Sequence, residues 1–186
     1  MKFRMIAFAA IGIALLAGPA FAQAPAAPAP APAPAPAAAS NPLDVIPDAM
    51  PFSQPYGAPI TLDHAKKLIA AVEAEVKRRG WAMNVTVVDS GGNLVAFERM
   101  DGAQIASIAI SQHKARTAAK YRRPTKVFEN AVQNGTLYVL TLDDVIASRG
   151  GFPLVENGKI IGAIGCSGGT GSQDEASCQV GADMVK

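Results

Sequence analysis

The stretch from Gly150 to Glu175 constrains the fold more than any other part of the sequence. Asn157 and Gly158 stand between two apolar runs, and this dipeptide is typical of a type I′ turn, in which both central residues have positive φ. The run that follows, residues 159–166, is apolar on both faces, and its glycines allow another backbone or a ligand to come close. The stretch therefore predicts a β-hairpin with a strand suited to close packing.

A glycine-rich loop, residues 167–171, follows the hairpin, and residues 172–175 are interpreted as a capping box that opens a helix. Because helix N-termini attract anions, such a loop could hold a phosphate or a carboxylate. It lacks the lysine of a P-loop and the G-x-G-x-x-G spacing, and Asp174 and Glu175 place negative charge at the helix start. The sequence therefore favours a structural turn over a nucleotide site.

The N-terminal third has the features of an exported protein. Residues 1–22 combine a positive start, a short apolar run and an A-x-A site, which predicts a secretory signal peptide, with an uncleaved anchor as the alternative. Residues 23–59 form an Ala/Pro-rich spacer and arm, interpreted as a tether or as a disordered leader without a partner. The end of this arm, from residue 41, could pack on the domain or contact a neighbouring subunit. The folded domain is expected over residues 60–186.

Location and charge limit the partners of the mature protein. A signal peptide predicts a periplasmic or secreted bacterial protein with no membrane span after signal removal. The formal net charge is +2, and without Lys2 and Arg4 of the signal the basic and acidic residues are equal at 15 each. General nucleic-acid binding needs an excess of cations to neutralise phosphates. No nucleic-acid partner is therefore expected.

Apolar spacing in the domain predicts the order helix, hairpin, long helix, short helix, hairpin, helix. The expected segments are 61–79, 83–99, 103–121, 126–132, 150–166 and 172–186. Residues 136–142 are compatible with strand or loop, and residues 143–147 with one helical turn. This order predicts an α+β fold in which one antiparallel sheet of about five strands is flanked by helices. The many alanines of the long helix favour close packing against a sheet or a partner helix.

Two histidines are the candidate ligands. His64 is expected in the first turn of the first helix, and His113 in the middle of the long helix, with Arg116 and Lys120 on the same face at i+3 and i+7. A ligand histidine beside cations suits an anionic cofactor, and a solvated helix face is the alternative. The wider basic run, residues 114–126, could bind carboxylates or phosphates, face solvent, or pair with acids elsewhere in an oligomer.

The sequence offers two cysteines and no catalytic motif. In an exported protein Cys166 and Cys178 could form a disulfide if the last helix folds back on its strand, and two reduced thiols are the alternative. Their spacing does not support a zinc site. The G-x-S-x-G, H-E-x-x-H and paired-cysteine redox motifs are missing, and Asp143-Asp144 favours a turn or helix start over an acid/base pair. No catalytic residue is predicted.

Five blocks of sequence carry a family resemblance. They are ITLDHAKKLIAA from Ile60, VVDSGGNL from Val87, KARTAA from Lys114 with RRPT from Arg122, GGFPLV from Gly150 with GKIIGAIG from Gly158, and SGGTGSQDE from Ser167. In this order they closely resemble the GlcG/HbpS-type haem-binding family across residues 60–186. The resemblance implies a small domain with an antiparallel sheet flanked by helices, and self-association into dimers or larger even-numbered assemblies. Related domains are fused to some corrinoid adenosyltransferases.

The resemblance leads to an exported haem-binding protein as the first hypothesis, with haem b as cofactor and a role in haem sensing, storage or iron handling. His64 is the leading axial ligand, His113 the second candidate, and Arg116 a candidate partner of the haem propionates. Cys166 replaces a residue that is usually aliphatic in the family. The alternatives are a haem-degrading enzyme or accessory subunit acting on a small anionic molecule, and a structural oligomerisation module.

Overall fold

A computed structural model of the chain describes residues 44–185. The predicted signal peptide and residues 23–43 of the predicted spacer lie outside the described residues. The elements follow the predicted order. They are α1 (Leu62–Arg78), β1 (Asn84–Asp89), β2 (Leu94–Arg99), α2 (Ala106–Tyr121), α3 (Lys126–Gln133), a 3-10 helix (Leu137–Thr141), β3 (Gly151–Glu156), β4 (Lys159–Ser167) and α4 (Gly171–Ala182).

The four strands form one antiparallel sheet in the order β2-β1-β4-β3. The α+β class is confirmed, but the expected count of about five strands is wrong. The segment that could have been a fifth strand is the 3-10 helix, which follows a chain reversal at Gly135, where φ is 83°. Its short apolar run does not alternate as a half-buried strand would. Residues 143–147 form no helical turn, and Asp144 has a φ of 58°.

One face of the sheet carries an aliphatic core under α1 and α4. Val87, Ile164 and Phe152 stand in one row across three strands and pack into this core. The buried stripe of α1 lies over them and consists of Ala65, Leu68, Ile69, Val72 and Val76. Since a fully buried aliphatic side chain contributes about 1.5–3 kcal/mol, this face supplies most of the apolar stabilisation.

The other face of the sheet is covered by α2, whose backbone lies very close to the strands. The next row across the same strands is Thr86, Gly165 and Gly151. A Cβ atom on Gly165 would lie 2.6 Å from the backbone nitrogen of Ala115, and one on Gly151 would lie 2.5 Å from the carbonyl oxygen of Lys114. Only glycine fits between these strands and the helix backbone. The predicted close packing of the long helix is confirmed.

The predicted turn is confirmed, but the predicted capping box is wrong by two residues. Asn157 and Gly158 have φ angles of 50° and 73°, as a type I′ turn requires. The N-cap of α4 is Thr170 rather than Ser172. The backbone is still extended at Thr170, whose side chain accepts a hydrogen bond from the Gln173 amide while the Gln173 side chain accepts one from the Thr170 amide.

The end of the arm is hydrogen-bonded to β4, and residues 54–60 are called the strap below. The pairing of β1 with β4 ends at Asp89 opposite Gly162, and the strap occupies the next positions along β4. The Gly57 amide donates to the Ile160 carbonyl at 2.8 Å, and the Ile160 amide donates to the Pro55 carbonyl at 2.9 Å. The ordered part of the domain therefore begins before residue 60.

None of the helices within residues 44–185 combines the length and the apolar character needed to cross a membrane.

Candidate functional site

An open cleft of about 620 Å³ lies where the strap, the first turn of α1 and the β3–β4 turn meet. The strap and the hairpin tip, which are hydrogen-bonded to each other through β4, supply part of the lining, and the start of α1 supplies the rest. The lining residues are Gly57, Ala58, Pro59, Ile60, Thr61, His64, Glu156, Asn157, Lys159 and Ile161. Three separate parts of the chain therefore build one concave surface.

His64 is the only imidazole that lines this cleft. Thr61 is the N-cap of α1, and its hydroxyl accepts a hydrogen bond from the His64 amide at 3.3 Å, which fixes the first turn. The side chain of His64 is partly buried, and no residue between 44 and 185 forms a hydrogen bond with its imidazole. A ring nitrogen of His64 is therefore available to a ligand.

The rest of the cleft combines apolar and polar surface and carries one cation and one carboxylate, those of Lys159 and Glu156. Ala58, Pro59 and Ile161 offer apolar side chains, while Lys159 offers an ammonium group that makes no ion pair within the described residues. A neutral imidazole is a good ligand for iron, and an ammonium group pairs with carboxylates. An imidazole, apolar side chains and an ammonium group in one cleft could hold an anionic group that carries a metal, and the Glu156 carboxylate is the one opposing charge in the lining.

His113 lies on the opposite side of the sheet, because α1 and α2 cover different faces. Its Nε2 atom is buried, 3.7 Å from Oδ1 of Asp144, and has no hydrogen-bond partner among residues 44–185. The same Oδ1 lies 3.5 Å from Nε of Arg116, and Lys120 pairs with the other oxygen. The structure thus brings His113 and Arg116 together but separates both from His64, so one haem cannot use both histidines of one protomer.

Asp144 holds this second cluster in place from a turn. The hydrogen bond from Lys120 keeps the pKa of the Asp144 carboxyl below its usual range. The hydroxyl of Thr117 donates to the Asp144 carbonyl at 2.8 Å and accepts from the Ile146 amide at 3.1 Å. The cations beside His113 are therefore occupied by a carboxylate of the same chain.

The basic run is not one solvated face. Lys114 is fully buried, and its Nζ atom donates to Oδ2 of Asp174 at 2.6 Å and to the Cys166 carbonyl at 3.1 Å. Lys126 pairs with Glu175 at 3.0 Å. Burial lowers the pKa of Lys114 against the opposing attraction of the Asp174 carboxylate. The acids that pair with the basic run belong to the same chain. The sequence did not indicate this pairing.

The glycine-rich loop does hold an anion, but that anion belongs to the protein. The amides of Gly168 and Gly169 both donate to Oδ1 of Asp174 at 3.0 Å. Beside this loop, Cys166 and Cys178 form a disulfide that ties α4 to β4. Since the amides and the carboxylate satisfy each other, the structural interpretation of the loop is confirmed.

Sequence reasoning missed the strap and Lys159 as parts of the cleft. Lys159 follows the Asn157-Gly158 turn directly, so its place at the hairpin tip could have been found from the sequence. The contact of the strap with β4 joins residues about a hundred positions apart and leaves no local pattern. Among residues 44–185, no three side chains of His, Cys, Asp or Glu come together to hold a bare metal ion.

A sheet with helices on both faces and a histidine-lined cleft at one end defines a class of small α+β domains. Residues 60–183 match the family model described as haem-degrading protein HbpS-like, and the chain belongs to this family. The protein GlcG of Escherichia coli K12 is 43% identical over 103 residues, which cover 55% of this chain and 77% of GlcG. The predicted family resemblance is confirmed.

Two solved structures share the fold. A two-residue variant of HbpS from Streptomyces reticuli superimposes with a TM-score of 0.64 at 26% identity, covering 83% of this chain and 99% of HbpS. A complex of PduOC with heme superimposes with a TM-score of 0.63 at 25% identity, covering 69% of this chain and 96% of PduOC. A structure with a similar fold has therefore been solved in complex with heme.

Proposed function

We propose that this protein binds haem in the cleft that contains His64. The observation that carries the proposal is an imidazole without a hydrogen-bond partner in residues 44–185, placed in a cleft of about 620 Å³ whose mixed lining includes apolar side chains and the ammonium group of Lys159. Membership of the HbpS-like family and the heme complex of PduOC support the choice of ligand.

Each wall of the cleft has a role in this proposal. His64 would ligate the iron through a neutral ring nitrogen, as histidine does in many haem proteins. Ala58 and Pro59 of the strap would contact the porphyrin. Lys159 and the positive end of α1 would attract the propionates, because a charge-assisted hydrogen bond and the helix dipole both favour anions there. We assign the propionates to Lys159 rather than Arg116, since Arg116 faces Asp144 on the other side of the sheet.

Two titrations with the full chain test this function. Hemin should produce a Soret shift and bind at least about tenfold more tightly than iron-free protoporphyrin IX, because only hemin can form the bond to His64 (a factor of ten is about 1.4 kcal/mol). In His64→Ala the preference for hemin over protoporphyrin IX should disappear. A wild-type protein that gives no Soret shift, or binds both compounds equally well, contradicts the proposal.

Haem degradation is the second candidate, and the description of the family as haem-degrading favours it. The test incubates the hemin complex with ascorbate under oxygen in the presence of catalase, which removes free peroxide. A decay of the Soret band that requires the protein supports an enzyme. A stable spectrum leaves binding, and with it sensing or storage, as the function.

We also propose that the protein is exported to the periplasm or secreted and is a homo-oligomer. The signal-like residues 1–22 support export, as does the disulfide between Cys166 and Cys178, because disulfides persist in oxidising compartments. Leu137 and Leu140 of the 3-10 helix are more than half exposed, which favours a contact between copies. The exported protein should start at Gln23 by N-terminal sequencing and elute above its monomer mass in size-exclusion chromatography with light scattering.

A further inference from the structure

We infer that Tyr56 anchors the strap to the C-terminal end of α2 and thereby positions the strap as a wall of the His64 cleft. Tyr56 does not line the cleft and would act on it through the strap, so it is a positioning residue. The inference rests on the proposed function for the identity of the ligand. The anchoring itself can be measured without any ligand.

The anchor is a bifurcated hydrogen bond, in which the single hydroxyl proton of Tyr56 is shared between two carbonyls at the end of a helix. The hydroxyl of Tyr56 lies 3.1 Å from the carbonyl oxygen of Ala119 and 2.9 Å from that of Lys120. The last carbonyls of an α-helix have no intrahelical partner, and α2 ends at Tyr121. The Tyr56 hydroxyl therefore gives a partner to the Lys120 carbonyl, while the Ala119 carbonyl also accepts from the Arg122 amide at 3.4 Å.

Arg122 reinforces this anchor from the next position of the chain. Its backbone is left-handed, with a φ of 54°, and this ends α2. Its guanidinium lies 5.8 Å from the centre of the Tyr56 ring and donates to the carbonyl of Gln54 at 3.3 Å. The strap is thus held at two successive points by the end of α2.

The other side of the strap is fixed to β4. The amides of Gly57 and Ile60 donate to the carbonyls of Ile160 and Ile161, both at 2.8 Å. A Cβ atom on Gly57 would lie only 3.0 Å from Cβ of Lys159, so the strap presses directly on the hairpin. Ile60 is buried in the core under α1. Residues 57–59 are therefore held between a fixed anchor and a fixed core residue.

This arrangement links the two sides of the sheet. Tyr56 contacts α2 on one side, the next four residues line the cleft, and Thr61 then caps α1, which carries His64. Loss of the anchor should loosen the strap, which changes the width of the cleft and its affinity for haem. The end of α2 thereby contributes to a site that it does not touch.

The test compares Tyr56→Phe with Tyr138→Phe in the full chain. Both changes remove one hydroxyl, but Tyr138 lies on the exposed 3-10 helix, away from the cleft. In the ligand-free protein, Tyr56→Phe should speed hydrogen exchange of the Gly57, Ile60 and Ile160 amides by about two- to tenfold, the range that one net hydrogen bond supports. The NMR signals of the His64 imidazole should also shift. Hemin affinity should fall by a similar factor, and Tyr138→Phe should change none of these.

Each result decides a separate claim. Unchanged exchange in Tyr56→Phe overturns the anchor. Faster exchange with unchanged His64 signals and unchanged hemin affinity overturns the strap as a wall of the cleft, while the proposed function stands. A wild-type protein that does not bind hemin overturns the proposed function instead, and the exchange rates and the His64 signals then decide the inference alone. Gly57→Ala, which pushes the strap from the Lys159 side, should reproduce the faster exchange.

Discussion

The two faces of the sheet are stabilised by different means. Under α1, large aliphatic side chains such as Leu68 and Ile164 fill the space between helix and strands. Under α2, alanines and glycines bring the backbones together, and polar groups are buried in pairs: the hydroxyls of Thr86 and Ser111 lie 2.9 Å apart, and Lys114 bonds to Asp174. Side-chain volume supports one face, and close approach of the backbones with buried, mostly paired polar groups supports the other.

This difference explains why the two histidines are not equivalent. On the α2 face, His113 sits beside Asp144, which also holds Arg116 and Lys120. On the α1 face, His64 lies at the end of the apolar layer, where the helix starts and a cleft opens. The polar groups under α2 are mostly paired within the chain and serve stability, while the cleft at the edge of the apolar face is open to a ligand.

The largest expected effect is the loss of the buried cation on the α2 face. Lys114→Met leaves the buried carboxylate of Asp174 without its counter-charge and should lower the free energy of unfolding by about 3–5 kcal/mol. Lys120→Met, the same change six residues later on the same helix, removes a solvent-screened pair and should cost much less. Urea denaturation measures both, and equal costs would break the comparison.

Neighbouring residues of β4 allow a direct test of the two faces. Ile164→Ala opens a cavity under α1 and should cost about 2–5 kcal/mol, since the surrounding side chains relax only in part. Ala163→Gly, on the α2 face, removes one methyl group and should cost about 1 kcal/mol. Unfolding curves in urea compare the two. A larger loss from Ala163→Gly would show that the aliphatic face is not the main source of apolar stability.

The disulfide strengthens the α1 face further. Replacing Cys166 and Cys178 together by alanine should lower the free energy of unfolding by about 2–3 kcal/mol, because the 12-residue separation gives a short loop. The wild-type protein in excess reductant and denaturant should show the same shift of the urea midpoint. A midpoint that does not respond to reductant contradicts this contribution.

The smallest effect on stability is expected for the exposed ion pairs of α1, which contrast with the buried ion pair under α2. Hydrogen bonds from Arg78 and Arg79 lower the pKa of Glu75 from 4.5 to about 2. The folded value lies below the unfolded one, so the stabilisation is complete above pH 4.5 and is lost as the pH falls towards 2. Urea midpoints of Glu75→Gln should therefore change less than those of the wild type over this range. If the urea midpoints of the variant and the wild type change by the same amount with pH, the ion pairing of Glu75 is contradicted.

Local patterns predicted much of the fold. The order of elements, the Asn157-Gly158 turn, the small residues of α2 and the structural role of the glycine loop all depend on neighbours in sequence. The burial of Lys114 could not be predicted, because its partner Asp174 lies 60 positions away and the lysine stands in a run that resembles a solvated face. The capping box was misplaced because Thr170 and Ser172 are both good N-caps and only the backbone conformation distinguishes them.

The candidate site was predictable only in part. The position of His64 in the first turn of α1 followed from Thr61 and the apolar spacing of the helix. Its cleft did not follow, because the strap is fixed by bonds from Tyr56 to α2 across 63 and 64 positions. The sequence also grouped Arg116 with a ligand site. It did not indicate that Asp144 lies beside Arg116, because this contact depends on a turn in which Asp144 has a positive φ.

The central claim is that the ligand site lies on the α1 side, at His64, and not on the α2 side, at His113. The most direct measurement is a hemin titration of His64→Ala and His113→Ala beside the wild type, followed by the Soret band. The account predicts that His64→Ala weakens binding at least about tenfold, because the iron loses its ligand, while His113→Ala changes it less than about twofold. An unchanged affinity in His64→Ala, or an affinity that falls about tenfold in His113→Ala, would contradict the account.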